Sequence, residues 1–599
     1  MTSDDLTGRA ADPEEVAAAI TSRRADDAVA TSPGQLLTLA PTESIPDEQD
    51  AEQRILRAVG PSGGAGAETD TPAQPHSDDV TPVARKNVTF NVSWLAGSQV
   101  VTWSLTLVWT VIVPRVLGPS GMGEIVTATS VASILGVLLG LGTKPYLVRE
   151  IVVAPERAPR LVGSTIVLRI CLVPVFVAAV VVYTRMAHFG SNEAWVLYLA
   201  TGTTVLFLLA EPIQAAFQSF ERMEYLAYSS VVTSTLQTSL GVILALIGFR
   251  AVGLSAAMVF VMAAVLLLNV LWARRYFRID LRTSVHQVRS LVTESFAYWS
   301  FALFSVIYVW IDTVILSLMT DSKVVGWYGV STRLFTTLMF VPVILSTAWL
   351  PRLVTAFQES PRQLHETARR PIEIVLLLGL PICVLTAMTA APAIHILFGP
   401  GYAEAAPVLT VLALGVPLIY LSIMLNQVVI AAKRQSTWTW IMAGATVVNP
   451  LLNIALIPLF QSHFGNGAIG AAVALGLTEL LIVFVGFVVV GRKVLTGATT
   501  FRLLRAAMAG GAMWAVMYAT RPFGFVASAL AGVLVFGALV PILRLASPED
   551  WTALRQGVVR ALDRGRRLVP GRHRAREEAT TAAEGVTMSE NADPRNGPR

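Results

Sequence analysis

The stretch FAYWSFALFSVIYVWIDTVILSLM, residues 296–319, is 24 residues long and carries one charge, Asp312. As a helix at 1.5 Å per residue it reaches ~36 Å, enough to cross ~30 Å of hydrocarbon. An ionised carboxylate inside such a run is costly in lipid, and residues of this kind usually face a bundle interior or a water-filled cavity. The competing reading of Asp312 is an interfacial position that only touches headgroups. Read as a span, the stretch sets the fold class and leaves the question of what Asp312 faces.

The rest of the chain repeats the pattern. Its 599 residues are 54% hydrophobic and 14% charged, with mean hydropathy +0.61. A soluble domain carries about 25% charged residues. Apolar segments recur at 89–113, 125–142, 161–184, 194–219, 226–248, 252–273, 292–319, 327–350, 371–396, 406–431, 437–459, 466–491, 503–520 and 523–544. Helices satisfy their own backbone groups in lipid, so the expected fold is an all-α polytopic membrane protein of about 14 transmembrane helices. Cys171 and Cys383 lie in apolar runs and imply no disulfide framework and no metal site. GLGTK, residues 140–144, lacks the spacing of a phosphate-binding loop. The connections are too short for an enzyme that needs a large extracytoplasmic loop. The expectation is a non-enzymatic protein with no nucleic-acid partner and no cofactor, a coupling proton or cation being the one small partner left open.

Charge gives an orientation. Residues 1–84 hold 16 Asp/Glu and 5 Lys/Arg, and their composition predicts a disordered acidic tail. The even-numbered connections between spans hold 19 Lys/Arg and the odd-numbered ones 5. By the positive-inside rule both termini are expected in the cytoplasm of a cell-membrane protein. The stretch 549–567 places Trp551, Leu554, Val558 and Leu562 at helical spacing among arginines, a pattern for a basic amphipathic helix on the anionic leaflet.

An internal repeat organises the spans. RVLGPSGMGEIVTATS (115–130) parallels LSLMTDSKVVGWYGVSTR (316–333), with Gly123 opposite Gly326, and Pro174 matches Pro381. Two parallel six-helix units, an N-lobe at 85–275 and a C-lobe at 276–500, are expected. Spans thirteen and fourteen follow at 501–545, and a second cytoplasmic tail at 546–599. Transporters often place their site between such repeats. On the seventh span Asp312 shares a helical face with Tyr308, Ser305, Tyr298 and Glu294; on the first, Gln99, Trp103, Thr106 and Thr110 share one. Two polar stripes on repeat-equivalent helices predict a shared hydrated cleft. Asp312 and Arg333 sit at one estimated depth, ~10 Å below the outer surface, and form an expected charge pair. Arg169 and Glu211 form a second, while Glu479 has no evident partner. Asn449-Pro450 reads as a kink.

LGPSGMGE (117–124), LGTKPYLVREI (141–151), WIDTVILSLM (310–319) with VGWYGVSTRL (325–334), and AAKRQSTW (431–438) together resemble the polysaccharide transporter, or O-antigen flippase, family. That family belongs to the superfamily of multidrug, oligosaccharidyl-lipid and polysaccharide exporters. The resemblance covers residues 85–545; the long acidic tail departs from it. It implies transfer of a polyprenyl-diphosphate-linked oligosaccharide from the cytoplasmic to the outer leaflet by two lobes of alternating access. Polysaccharide polymerase and glycosyltransferases are the implied partners. Arg333, Arg115 and Arg169 are the candidates to hold the diphosphate, because guanidinium binds such anions through paired donors. Gln99, Tyr298 and Tyr308 are the candidate polar lining, and Asp312, Glu211 and Glu294 the candidate coupling or pairing carboxylates. By analogy, the last two spans would offer a groove for the lipid tail. The rivals are a lipid II flippase, a multidrug antiporter and a non-transporting membrane scaffold of a glycan assembly complex.

Overall fold

A computed structural model of the protein describes residues 88–491 and 496–545. The expected acidic tail, and the amphipathic helix at 549–567, lie outside the described residues. Among the described residues the chain is helical, without strands. The helices are α1 (Val88–Gly140), α2 (Thr143–Val153), α3 (Ala158–Met186), α4 (Ser191–Ser219), α5 (Met223–Ile247), α6 (Ala251–Ala273), α7 (Val285–Met319) and α8 (Ser322–Leu338). They continue with α9 (Phe340–Glu359), α10 (Pro361–Phe398), α11 (Ala405–Leu414), α12 (Val416–Ala431), α13 (Gln435–Phe464), α14 (Gly467–Val490), α15 (Gly497–Ala519) and α16 (Phe525–Ile542).

Among the described residues eleven helical stretches are long and apolar enough to cross a membrane, or 12 if α11 and α12, bent by 43°, form one span. The protein is a multi-pass membrane protein. The expected count of 14 differs for local reasons. The first two expected spans lie on α1, whose 53 residues are two helices joined across a kink at Gly118, at φ 71° ahead of Pro119, and so are counted together. Positive φ is cheap only for glycine, and proline cannot continue the preceding helix's hydrogen bonds. The thirteenth lies on α15, where Arg502 and Arg505 shorten the uncharged stretch.

Packing follows the apolar faces. Separate buried clusters join α1 to α6, as in Phe217 with Ile151 and Phe277, or Trp109 with Leu254. One large cluster joins α7 to α14 and takes in Met122 of α1; Tyr420, Met424 and Ile457 are among its fully buried members. α15 and α16 bury Met513, Met517 and Phe536 against Leu380 and Val384 of α10. Between the two large groups the backbones meet at two levels. Gly123 packs on the carbonyl of Ser322, and Gly326 on that of Pro119. Some 19 residues along the chain from Gly123, ~28 Å of helix, Gly142 packs on the backbone of Trp299, whose Nε1 donates to the Val137 carbonyl at 3.1 Å.

Candidate functional site

Between those two levels lies a cavity of about 390 Å³, walled by α1, α7, α8 and α14. Asp312, Tyr308, Tyr328, Arg333 and Glu479 all line it. Asp312 is buried, at 3% exposure, yet fully engaged. Tyr328 Oη donates to Asp312 Oδ2 at 3.0 Å, and Asn453 Nδ2 donates to Asp312 Oδ1 at 2.6 Å. Asn453 also donates to the Asn449 carbonyl and side-chain oxygens, both at 3.0 Å. Next to this network, Tyr308 Oη donates to Glu479 Oε1 at 2.5 Å, while Glu479 Oε2 is buried without a partner. The site is thus two buried carboxylates, each held by neutral donors from other helices.

Arg333 is the cation of this cavity. Its Nη1 is buried and has no hydrogen-bond partner. The expected Asp312–Arg333 ion pair is not formed: Asp312 is bonded to Tyr328 and Asn453 instead. Depth was the only coordinate behind that expectation. Tyr328, five residues before Arg333 on α8, points at Asp312, and Arg333 points elsewhere into the cavity. A buried guanidinium with an idle donor is costly unless an anion or water meets it.

The second expected pair is formed. Arg169, 1% exposed, bonds Glu211 at 2.7 Å, Thr143 Oγ1 at 2.8 Å, and the carbonyls of Gly140 and Leu208. Its partners all lie inside one group of helices, so its guanidinium is engaged in packing that group. Arg115 leaves the expected site. It is exposed and donates to the Ile396 carbonyl at 2.7 Å, in the last turn of α10, where the helix dipole favours a cation.

The polar stripe expected along α7 does not line one cleft. Tyr308 and Asp312 face the central cavity, whereas Tyr298 lines a second cavity. Glu294 is exposed and accepts from Ser290 Oγ at 2.6 Å. Both Tyr298 and Glu294 interact with Arg149 of α2. On α1, Gln99 is exposed and lines neither cavity, and Trp103 lies edge-on to Phe340 with ring centroids 4.7 Å apart. The second cavity, about 720 Å³, is walled by α1, α2, α4, α6 and α7, and Trp310 borders both.

The family described as polysaccharide biosynthesis protein matches residues 88–357, and the MatE family matches residues 299–455. Over 348 residues the chain is 27% identical to the succinoglycan biosynthesis transport protein ExoT of Rhizobium meliloti (strain 1021), covering 56% of this chain and 67% of the relative. The fold is similar to that of the lipid II flippase MurJ in an inward closed conformation, with TM-score 0.60, 13% identity, and coverage of 76% of this chain and 98% of that one. It is also similar to an inward-facing multidrug resistance MATE family transporter of the MOP superfamily, with TM-score 0.51, 14% identity, and coverage of 68% and 99%. These matches make the chain similar to polysaccharide and MatE-type transporters over part of its length. At these identities the two solved structures speak for the fold alone.

Two members of the site, Asn453 and Tyr328, are not singled out by the sequence, and the partners of Asn449 and Glu479 are not evident in it. Asn449 and Asn453 sit four residues apart on one face of α13, a readable signal, but Asn449 was assigned only to the Pro450 kink. Tyr328 carries no signal of its own in the sequence, where it appears only within the VGWYGVSTRL motif. Glu479 lacked a partner in sequence because Tyr308 lies 171 positions away.

Proposed function

We propose that this protein moves a polyprenyl-diphosphate-linked oligosaccharide from the cytoplasmic to the outer leaflet, for cell-surface polysaccharide synthesis. The observation that carries the reading is Arg333, whose guanidinium has an unpartnered buried donor in a cavity between the two groups of helices. A diphosphate supplies the anion that such a donor needs. Alternating access is the expected route. The Gly123–Gly326 level and the Gly142–Trp299 level are two seams that such a cycle opens in turn. The charge bias of the connections supports cytoplasmic termini. Asp312, bonded only to neutral donors, is the proposed site of a coupling proton or cation. Glycosyltransferases and a polymerase are the proposed functional partners. The likeness to a lipid II flippase concerns the fold and does not favour that substrate.

The test is complementation. Deleting the gene should abolish the surface glycan and leave lipid-linked oligosaccharide on the cytoplasmic side. Wild-type protein should restore export, Arg333→Ala should not, and Arg333→Lys should restore part of it, since charge persists while the two-donor fork is lost. Full export by Arg333→Ala would remove the anion site from this cavity.

A further inference from the structure

The larger cavity, about 720 Å³, is within the ~300–1,000 Å³ range of ligand pockets. Phe207, Met262, Phe301, Val306 and Trp310 give it a mainly apolar wall. Two charges reach it, Glu211 and Lys144. Glu211 is neutralised by Arg169 at 2.7 Å. The Lys144 ammonium is half-buried and makes no hydrogen bond or ion pair among the described residues. What remains is an apolar chamber with one uncompensated positive charge at its rim, the complement of an anionic headgroup on a hydrocarbon chain. Trp310 borders this chamber and the Arg333 cavity alike, so the two are neighbours along α7. The α15–α16 pair, where the analogy expects a groove, buries Met513, Met517 and Phe536 against α10.

From the free Lys144 ammonium at the rim of this apolar chamber, we propose that the chamber between α1, α2, α4, α6 and α7 binds the isoprenoid chain of the lipid-linked substrate. Lys144 meets the phosphates as the substrate enters on the cytoplasmic side, before they pass to Arg333, and Trp310 stands between the chain and the headgroup cavity. This rests on the transport reading above.

The test uses the full chain in phosphatidylethanolamine vesicles and an isoprenyl diphosphate carrying a photoactivatable diazirine in its chain. Cross-links should map to peptides holding Phe207, Met262 and Phe301. Unlabelled polyprenyl diphosphate should displace them, and an equal concentration of phosphatidylglycerol should not. Met262→Trp and Ala302→Phe, two independent ways of filling the chamber without adding charge, should each lower labelling severalfold, and Lys144→Ala should weaken it while Lys144→Arg keeps it. Labels on α15 and α16, or scattered labels, would overturn the site. Equal displacement by phosphatidylglycerol would overturn it too, making the chamber a pocket for bulk lipid. Normal glycan export in the gene deletion would sink the transport reading without touching the labelling result.

Discussion

Gly123 and Gly326 stand against each other across the seam between the two groups of helices. A Cβ on Gly123 would lie 1.7 Å from the Ser322 carbonyl oxygen, and one on Gly326 would lie 1.9 Å from that of Pro119. They are also the two residues that the sequence repeat sets opposite each other. Where two-fold-related surfaces meet at their axis, equivalent residues touch, and only residues without side chains let backbones come this close.

The seam should therefore be sensitive to one methyl group. Gly326→Ala or Gly123→Ala forces the backbones apart, and overpacking of this kind costs ~1–3 kcal/mol. In a background with Cys171 and Cys383 replaced, a cysteine introduced at Ser322 should react faster with a membrane-impermeant maleimide when either glycine is substituted. Unchanged labelling would show that the seam is loose enough to absorb a side chain.

Asp312 should matter for transport but not through Arg333. Asp312→Asn is expected to impair glycan export and preserve membrane insertion. The charge exchange Asp312→Arg with Arg333→Asp should stay inactive, because no ion pair links the two and the carboxylate would leave Tyr328 and Asn453. Asn453→Ala should mimic part of the Asp312→Asn defect, since a hydrogen bond to a charged group is worth ~1.5–3 kcal/mol. Recovery of export in the exchanged double variant would restore the pairing role that the geometry argues against.

The Arg169–Glu211 pair should behave as structure. Arg169→Ala leaves a carboxylate without its partner, and breaking a buried pair costs ~3–5 kcal/mol. The measurable result is a lower melting temperature of the detergent-extracted protein and reduced yield. Replacing both, Arg169→Met with Glu211→Met, should recover most of the stability and much of the export. A stable double variant with no export would make Arg169 a substrate ligand after all.

The N-terminal segment offers a cheaper test. Residues 1–84 hold 16 Asp/Glu against 5 Lys/Arg, a composition from which no contribution to the packed helices is expected. Deleting 2–80 should leave a protein that inserts and runs as a monodisperse peak on size exclusion. Loss of the protein from the membrane fraction would mean that the tail docks on the helices.

Most of the fold was legible because the bilayer imposes a one-dimensional rule. A run such as 296–319 must be helical and about as long as the hydrocarbon is thick, and both facts are written in consecutive residues. Depth along the membrane normal was readable for the same reason, and it matched Arg169 with Glu211 correctly. The same coordinate failed for Asp312 and Arg333. Depth does not say which way a side chain points around its helix or which helix stands beside it. Those are set when α7, α8, α13 and α14 pack, bringing Tyr328 and Asn453 onto Asp312 and Tyr308 onto Glu479, and leaving Arg333 a free donor. The length and apolar character of the spans belong to the sequence by itself, because the lipid solvent demands them of every helix separately. The partners of the buried charges belong to the tertiary structure, because hydrogen bonds are satisfied across helices that only packing makes neighbours.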